Sequence, residues 1–318
     1  MKANELRRLL HEGERTVLGT CVVSPSTKWP GLVASCGLDF VFIDTEHIAL
    51  NRETVSWMCR TYTAMGIPPL VRIPTQDPDD ATVALDDGAA GVIIPYVEDP
   101  EVVRSMVGAS KLRPLKGERA RRALNGEELE PELQSYIENH NSDHILLTNI
   151  ESVPAMDRID EILSQQGLDC VLIGPHDLST SLGVPEQYDH PRFLEACAFI
   201  LGKARTAGIG AGIHHWLAPE KQVQFVEMGA NLLIHKADAI FLSEGLRDEV
   251  SPDSRPTRTG IRPQPCRERQ YLISPFQPQR QTRRRAKSLA SSVTGEGDRQ
   301  VSVIRPWGAI FRDGAHYH

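Results

Sequence analysis

The sequence predicts a (β/α)8 TIM barrel over residues 1–250, and three observations point there. Eight short apolar runs alternate with stretches of helical periodicity, the repeat of a parallel α/β fold. All eight repeats fit into about 250 residues, the usual size of such a barrel. Polar and charged residues collect at the ends of six of the eight runs, where a barrel gathers its chemistry. The competing architecture is a doubly wound open sheet, but no Gly-x-Gly-x-x-Gly follows the first run.

The predicted strands span 16–23, 40–43, 70–73, 91–97, 145–150, 170–173, 209–213 and 231–234. They read as continuous apolar runs because parallel strands are buried on both faces. Ahead of the first, Met1 to Leu10 has the pattern of a short amphipathic helix and lacks the apolar core of a signal peptide. Asn51 is the expected N-cap of a helix over 52–65 that stops at Gly66. Asp99-Pro100 opens another, with proline at the first helical position. Residues 153–166 carry Met156, Ile159, Ile162 and Leu163 at helical spacing and stop at Gly167. Further helices are predicted over 191–207 and 219–228, closed by Gly208 and Gly229. Between the fourth and fifth strands, 111–144 form a charged excursion too long for a bare loop, expected to hold a helix end and a lid or subunit contact.

Residues 251–318 are of another kind. They hold 13 Lys and Arg against 5 Asp and Glu, whereas residues 1–250 hold 22 against 37. Proline recurs at 252, 256, 263, 265, 275, 278 and 306, and helical or strand periodicity ends. Such a composition buries too little apolar surface to offset ordering entropy, so a disordered, basic, low-complexity tail is expected. Its run Arg283–Lys287 is read as a solvated charge run, and no nucleic-acid partner is expected. No apolar run approaches the roughly 18 residues of a membrane span. The six cysteines form no Cys-x-x-Cys pair and several sit in apolar runs, as free thiols do in a reducing, cytoplasmic setting.

The strand ends supply the candidate chemistry. The second delivers Asp44, Glu46 and His47, the third Arg72, the fifth Glu151, the sixth Gly174-Pro175-His176-Asp177, the seventh His214-His215 and the eighth His235, Lys236 and Asp238. Glu151 and Asp177 are the natural metal pair, since two carboxylates from neighbouring strands suit Mg²⁺ or Mn²⁺ and leave positions for water and substrate. The competing reading makes both of them helix or turn caps. No His/Cys cluster has zinc spacing. Arg72 is a guanidinium in an apolar strand and needs an anion, which a structural salt bridge would equally provide. Of two adjacent strand histidines, one must point away from a site, so His214-His215 rank low.

Five segments together resemble the HpcH/HpaI aldolase family, class II pyruvate-type aldolases on a (β/α)8 barrel. They are Gly37-Leu-Asp-Phe-Val-Phe-Ile-Asp-Thr-Glu-His47, Leu70-Val-Arg-Ile-Pro74, Leu85-Asp-Asp-Gly-Ala-Ala-Gly-Val-Ile-Ile-Pro95, Ile150-Glu-Ser-Val-Pro-Ala155 and Ile173-Gly-Pro-His-Asp-Leu-Ser179. The resemblance implies that Glu151 and Asp177 bind Mg²⁺ or Mn²⁺ and that Arg72 holds the oxo or enolate oxygen. It implies that His47 relays a proton with Asp86 orienting it, and that Asp44 and Glu46 lie around the metal waters and the subunit contact. The backbone of Gly174, Pro175 and His176 through Asp177 would receive the substrate carboxylate. Asn149 stands where many relatives have glutamine, and the glycine-rich loop after the fourth helix is replaced by Arg113-Pro-Leu-Lys-Gly-Glu-Arg-Ala-Arg-Arg122. A homo-oligomer, hexamer or smaller, is implied as well. The expected reaction is cleavage of a 4-hydroxy-2-oxo acid to pyruvate and an aldehyde. Oxaloacetate decarboxylation or biosynthetic carbon–carbon bond formation through the same enolate is the alternative, a Schiff base on Lys236 is poorly supported, and a nonenzymatic interaction barrel stands last.

Overall fold

The computed structural model describes residues 1–250; the tail expected at 251–318 lies outside the described residues. Eight parallel strands close into a barrel in sequence order: β1 (Val17–Cys21), β2 (Phe40–Asp44), β3 (Pro69–Arg72), β4 (Gly91–Ile94), β5 (Ile145–Ile150), β6 (Cys170–Ile173), β7 (Gly210–His215) and β8 (Leu232–Ala237). Strand β8 returns to pair with β1, with a register shift between Gly19 and Cys21.

Helix α1 (Ala3–Glu12) precedes the barrel, and α2 (Trp29–Ala34), α3 (Arg52–Ala64), α4 (Pro78–Asp86) and α5 (Pro100–Lys111) follow the first four strands. Then come α6 (Gly117–Leu124) and α7 (Pro131–His140) before β5, and α8 (Val153–Asp157) and α9 (Ile159–Leu163) after it. The circuit ends with α10 (Pro175–Ser181) and α11 (Pro191–Thr206) after β6, α12 (Pro219–Glu227) after β7 and α13 (Asp238–Glu249) after β8. The caps read in the sequence are made: Asn51 accepts from Thr54 N, and Asp99 accepts from Glu101 N. Where one helix was expected over 153–166 there are two short ones, because Arg158 leaves helical dihedrals at φ −107°, ψ 16°. Strands β7 and β8 run further than predicted, so His214, His215, His235 and Lys236 are strand residues.

Alternation along the strands builds two apolar layers. Phe40, Phe42, Leu70, Ile93, Leu147 and Leu172 fill the barrel, and Leu6, Leu9 and Leu10 of α1 join them and close its N-terminal end. The larger layer lies between strands and outer helices. No helix among the described residues is long and apolar enough to cross a membrane. Of the cysteines, Cys21, Cys59, Cys170 and Cys197 are buried free thiols and Cys36 is exposed.

The excursion at 111–144 lies between the end of α5 and the start of β5, at the entry end of the strands. Asn141 there donates to the carbonyls of Lys111 and Arg113. It is therefore no lid over this chain's own catalytic mouth, because a helix-to-strand connection sits at the opposite end of a barrel. The same end is locked by Asp169, immediately before β6 and fully buried. Its carboxylate takes Arg7 Nε at 2.7 Å, His11 Nε2 at 2.9 Å, Lys111 Nζ at 2.5 Å and Leu146 N at 2.8 Å.

Burial pushes the Asp169 carboxyl up, but His11, Lys111 and Arg7 outweigh it and hold it well below the usual range. His11 is raised by the bond to Asp169 ahead of an opposing burial effect. Burial likewise pulls Lys111 down, and Asp169 only partly restores it. The depressed Asp169 contributes stability above about pH 4, lost as pH falls through its folded value; the raised His11 contributes fully below about pH 6.5, lost as pH rises through its own. Stability in urea is thus expected to peak between those limits. Asp169→Asn, which strands buried Lys111, should cost about 3–5 kcal/mol at pH 6. A cost below about 1 kcal/mol would show that α1 is held by its leucines alone.

Candidate active site

Asp44 and Arg72 are the last residues of neighbouring strands and face each other in register. Arg72 Nε lies 2.9 Å from Asp44 Oδ1 and Nη2 lies 2.6 Å from Oδ2, the two-point contact that only a guanidinium makes. Both side chains are almost wholly buried. Asp44 Oδ1 also accepts from Glu46 N at 3.1 Å and His47 N at 3.5 Å, so one carboxylate sets the arginine and the turn after the strand. Burial would raise Asp44, yet the bonds from Arg72 bring it below its ordinary value. Arg72 stays charged: burial opposes its cation, and Asp44, Glu46 and Glu151 more than compensate.

Glu46 is less well served. Its Oε2 lies 3.1 Å from Arg72 Nε but is buried and makes no hydrogen bond among the described residues. Burial raises its pKa against the pull of Arg72 and His47. The exposed His47 ring holds Nε2 3.7 Å from that same oxygen.

Across the mouth, Glu151 follows β5 and is 3% exposed. Its Oε1 accepts from Tyr96 N and its Oε2 from Asn149 Nδ2, each at 2.9 Å. Tyr96 reaches this position through a positive φ of 44°. Burial, with the charge of Asp177 adding to it, pushes Glu151 up to about 7 against the Asn149 bond. Gly174 opens the space for this carboxylate: a Cβ there would lie 1.8 Å from Glu151 Oε2. Next to it, Pro175, His176 and Asp177 form the first turn of α10. The amides of His176 and Asp177 have no intrahelical acceptor there, and Pro175 has no amide to offer. Asn149 Oδ1 is buried and unpaired among the described residues.

The mouth thus gathers four carboxylates, Asp44, Glu46, Glu151 and Asp177, which act on one another electrostatically, around one clamped guanidinium. Among the described residues no three or more His, Cys, Asp and Glu form a metal cluster. What the site offers a cation is Glu151 and Asp177, all-oxygen donors suited to a hard divalent ion with open positions. The Asn149 and Glu46 oxygens, which accept no hydrogen bond among the described residues, fit that.

One expected member is elsewhere. Asp86 is on the last turn of α4, which returns from the mouth toward the entry end of β4, and its carboxylate pairs with Arg113. Within the chain it therefore does not orient His47. One member was missed and one was ranked low. Tyr96 contributes only a backbone N–H, which side-chain chemistry does not reveal. His214 points into the barrel beside Phe42, with ring centroids 5.4 Å apart, and its Nε2 lies 3.3 Å from Lys236 O. Alternation says that one of the two histidines faces inward, and the register of β7 makes it His214. His215 points outward and stacks on Phe225.

The family model for HpcH/HpaI aldolase/citrate lyase matches residues 26–236. The 2-keto-3-deoxy-L-rhamnonate aldolase of Escherichia coli K12 is 30% identical over 255 residues, 78% of this chain and 92% of that protein. Among solved structures, the HpcH/HpaI aldolase of Desulfitobacterium hafniense DCB-2 is similar at 27% identity and TM-score 0.69, over 80% of this chain and 98% of that one. The citrate synthase SbnG is similar at 29% identity and TM-score 0.67, over 78% and 96%. On the family match and the 30% relative, this chain belongs to the HpcH/HpaI aldolase/citrate lyase family.

Proposed function

We propose that the chain is a divalent-metal-dependent aldolase that cleaves a 4-hydroxy-2-oxo acid to pyruvate and an aldehyde. The observation that carries this is a buried carboxylate, Glu151, beside Asp177 on the next strand end, facing a guanidinium fixed by Asp44. Glu151 and Asp177 would hold Mg²⁺ or Mn²⁺, which supplies Lewis-acid polarisation of the 2-oxo group. Arg72, kept charged and oriented by Asp44, donates to the C2 oxygen as it gains negative charge. The free amides of His176 and Asp177 would receive the substrate carboxylate. His47 takes the C4 hydroxyl proton, the C3–C4 bond breaks, and its electron pair moves toward C2–O while C4 becomes the aldehyde carbonyl. Protonation at C3 then gives pyruvate.

A Schiff base on Lys236 is disfavoured, because its Nζ is 2.6 Å from Glu244 Oε2. The second reading, carbon–carbon bond formation through the same enolate, is favoured by the likeness to a citrate synthase. A homo-oligomer of identical chains is proposed from α13, on which Asp238 alone is buried while Leu242 and Leu246, with Val250 just past its end, lie exposed at a spacing of four. Light scattering should give a mass of at least two chains, and Leu242→Glu with Leu246→Glu should lower it; a monomer at micromolar concentration contradicts this.

Pyruvate release from 4-hydroxy-2-oxo acids should vanish with chelator and return with Mg²⁺ or Mn²⁺, and His47→Asn should slow it about 10²-fold or more. Chelator-resistant activity lost on borohydride treatment would contradict the mechanism, and condensation without pyruvate release would favour the second reading. Arg72→Ala strands Asp44 and Glu46, so it should cost about 3 kcal/mol of stability besides activity. Unchanged urea unfolding would mean that another cation replaces it.

A further inference from the structure

Of the two hydrogen bonds that Glu151 accepts, one depends on an unusual backbone turn. The Tyr96 N–H reaches Glu151 Oε1 at 2.9 Å from φ 44°, a region that a residue with a Cβ enters only when its surroundings hold it there. The Tyr96 side chain is 42% exposed, so packing of the ring does not impose the turn. A side chain from another loop does. Gln76, four residues past Arg72 in the connection from β3 to α4, donates from Nε2 to Pro95 O at 3.0 Å and to Tyr96 O at 2.7 Å. These carbonyls belong to the two peptide units that meet at the Tyr96 Cα, so one amide group fixes both. In a trans peptide the N–H points away from the preceding carbonyl. Holding Pro95 O on the Gln76 side therefore turns the Tyr96 N–H toward Glu151.

The chemistry of this contact admits one orientation of Gln76, because two carbonyls can be served only by the end of the amide that carries two hydrogens. The loop around it is itself fastened. Asp77 N donates to Thr75 Oγ1 at 3.1 Å, Thr75 Oγ1 lies 2.5 Å from Asp80 Oδ2, and Asp77 caps α4 through Asp79 N. On the far side, Val97 N donates to Asn149 O at 3.2 Å and Ser152 Oγ to Glu98 Oε1 at 2.7 Å, which join the loop after β4 to the end of β5. Those bonds set where the loop lies; the Gln76 bonds set how the Tyr96 peptide is turned. Glu151 is then gripped at both oxygens, by Tyr96 N and by Asn149 Nδ2, and each oxygen keeps a further lone pair for a cation.

We propose that Gln76 is a positioning residue for Glu151: by holding Tyr96 in the left-handed turn it orients the carboxylate for a divalent cation. The proposal rests on the aldolase reading, in which Glu151 is a metal ligand, and deepens it. The test is Mn²⁺ binding to the full chain without substrate, read from the EPR signal of free Mn²⁺. Gln76→Met keeps the side-chain length and loses both donors, and it should raise the Mn²⁺ Kd about 10-fold. Glycine adopts a positive φ without support, so in a Tyr96→Gly background the same substitution should raise Kd by less than about 3-fold. General loosening of the fold would lower the urea midpoint of the metal-free protein alike in both backgrounds and would not produce this difference in Kd. A shift below about 3-fold in Gln76→Met alone, or a rise of about 10-fold in both backgrounds, would overturn the role of Gln76. Glu151→Gln separates that failure from failure of the metal reading. Binding abolished by Glu151→Gln yet indifferent to Gln76→Met sinks only the positioning role. Binding that survives Glu151→Gln, or no binding by the unsubstituted chain, sinks the metal reading and the positioning role with it.

Discussion

The pairing of Arg72 with Asp44 is the contact on which the rest of the mouth depends. A guanidinium buried in a barrel is tolerable only with an anion at hydrogen-bond distance, and Asp44 is supplied by strand register, one pair along from Ile43 and Val71. Yet the mouth holds more negative than positive groups. Asp44 takes most of what Arg72 can give, so Glu46 and Glu151 are left under-compensated, and both are raised above their ordinary values. Two carboxylates that share a low-dielectric space next to a third and fourth are a poor arrangement for a structural core. They are a good one for a dication, whose two charges would complete the balance that the arginine begins.

The two ends of the barrel use the same physics for opposite purposes. At the entry end a single carboxylate, Asp169, is surrounded by three cationic side chains and a backbone amide, and its charge is over-answered. At the mouth the carboxylates outnumber the guanidinium. The first arrangement fixes α1 against the barrel and has little left to offer a ligand. The second leaves the Asn149 and Glu46 oxygens without a hydrogen-bond donor, and the missing Cβ of Gly174 lets the Glu151 carboxylate lie against the strand end.

Much of this was legible in the sequence, because the strand ends of a parallel barrel carry chemistry in a fixed direction. Continuous apolar runs placed all eight strands within a few residues, and Asp44, Arg72, Glu151 and Asp177 do converge. What stayed hidden was whatever depends on register or on turn count. Arg72 demanded an anion, but only the pairing of β2 with β3 says that the anion is Asp44. Asp86 looked like a partner for His47, yet its place on the last turn of α4 carries it away from the mouth and onto Arg113. The Tyr96 amide could not be read from residue types at all. His214-His215 ranked low because alternation turns one of the pair away; the register of β7 decides which, with His214 inside and His215 outside.

That register has a consequence for the chemistry. Lys236 sits at φ 52°, a left-handed conformation that costs a residue with a side chain about 1 kcal/mol or more. The conformation accompanies two contacts: the Lys236 carbonyl takes His214 Nε2–H, and the Lys236 ammonium reaches Glu244 and the face of Phe241. The first fixes the imidazole tautomer, since a carbonyl can only accept, and so leaves Nδ1 as an acceptor. The second removes a lysine from the reach of a 2-oxo group. One backbone position thereby holds the His214 ring and ties the lysine to Glu244. The sequence has a lysine at a strand end; the structure gives it the work of a support.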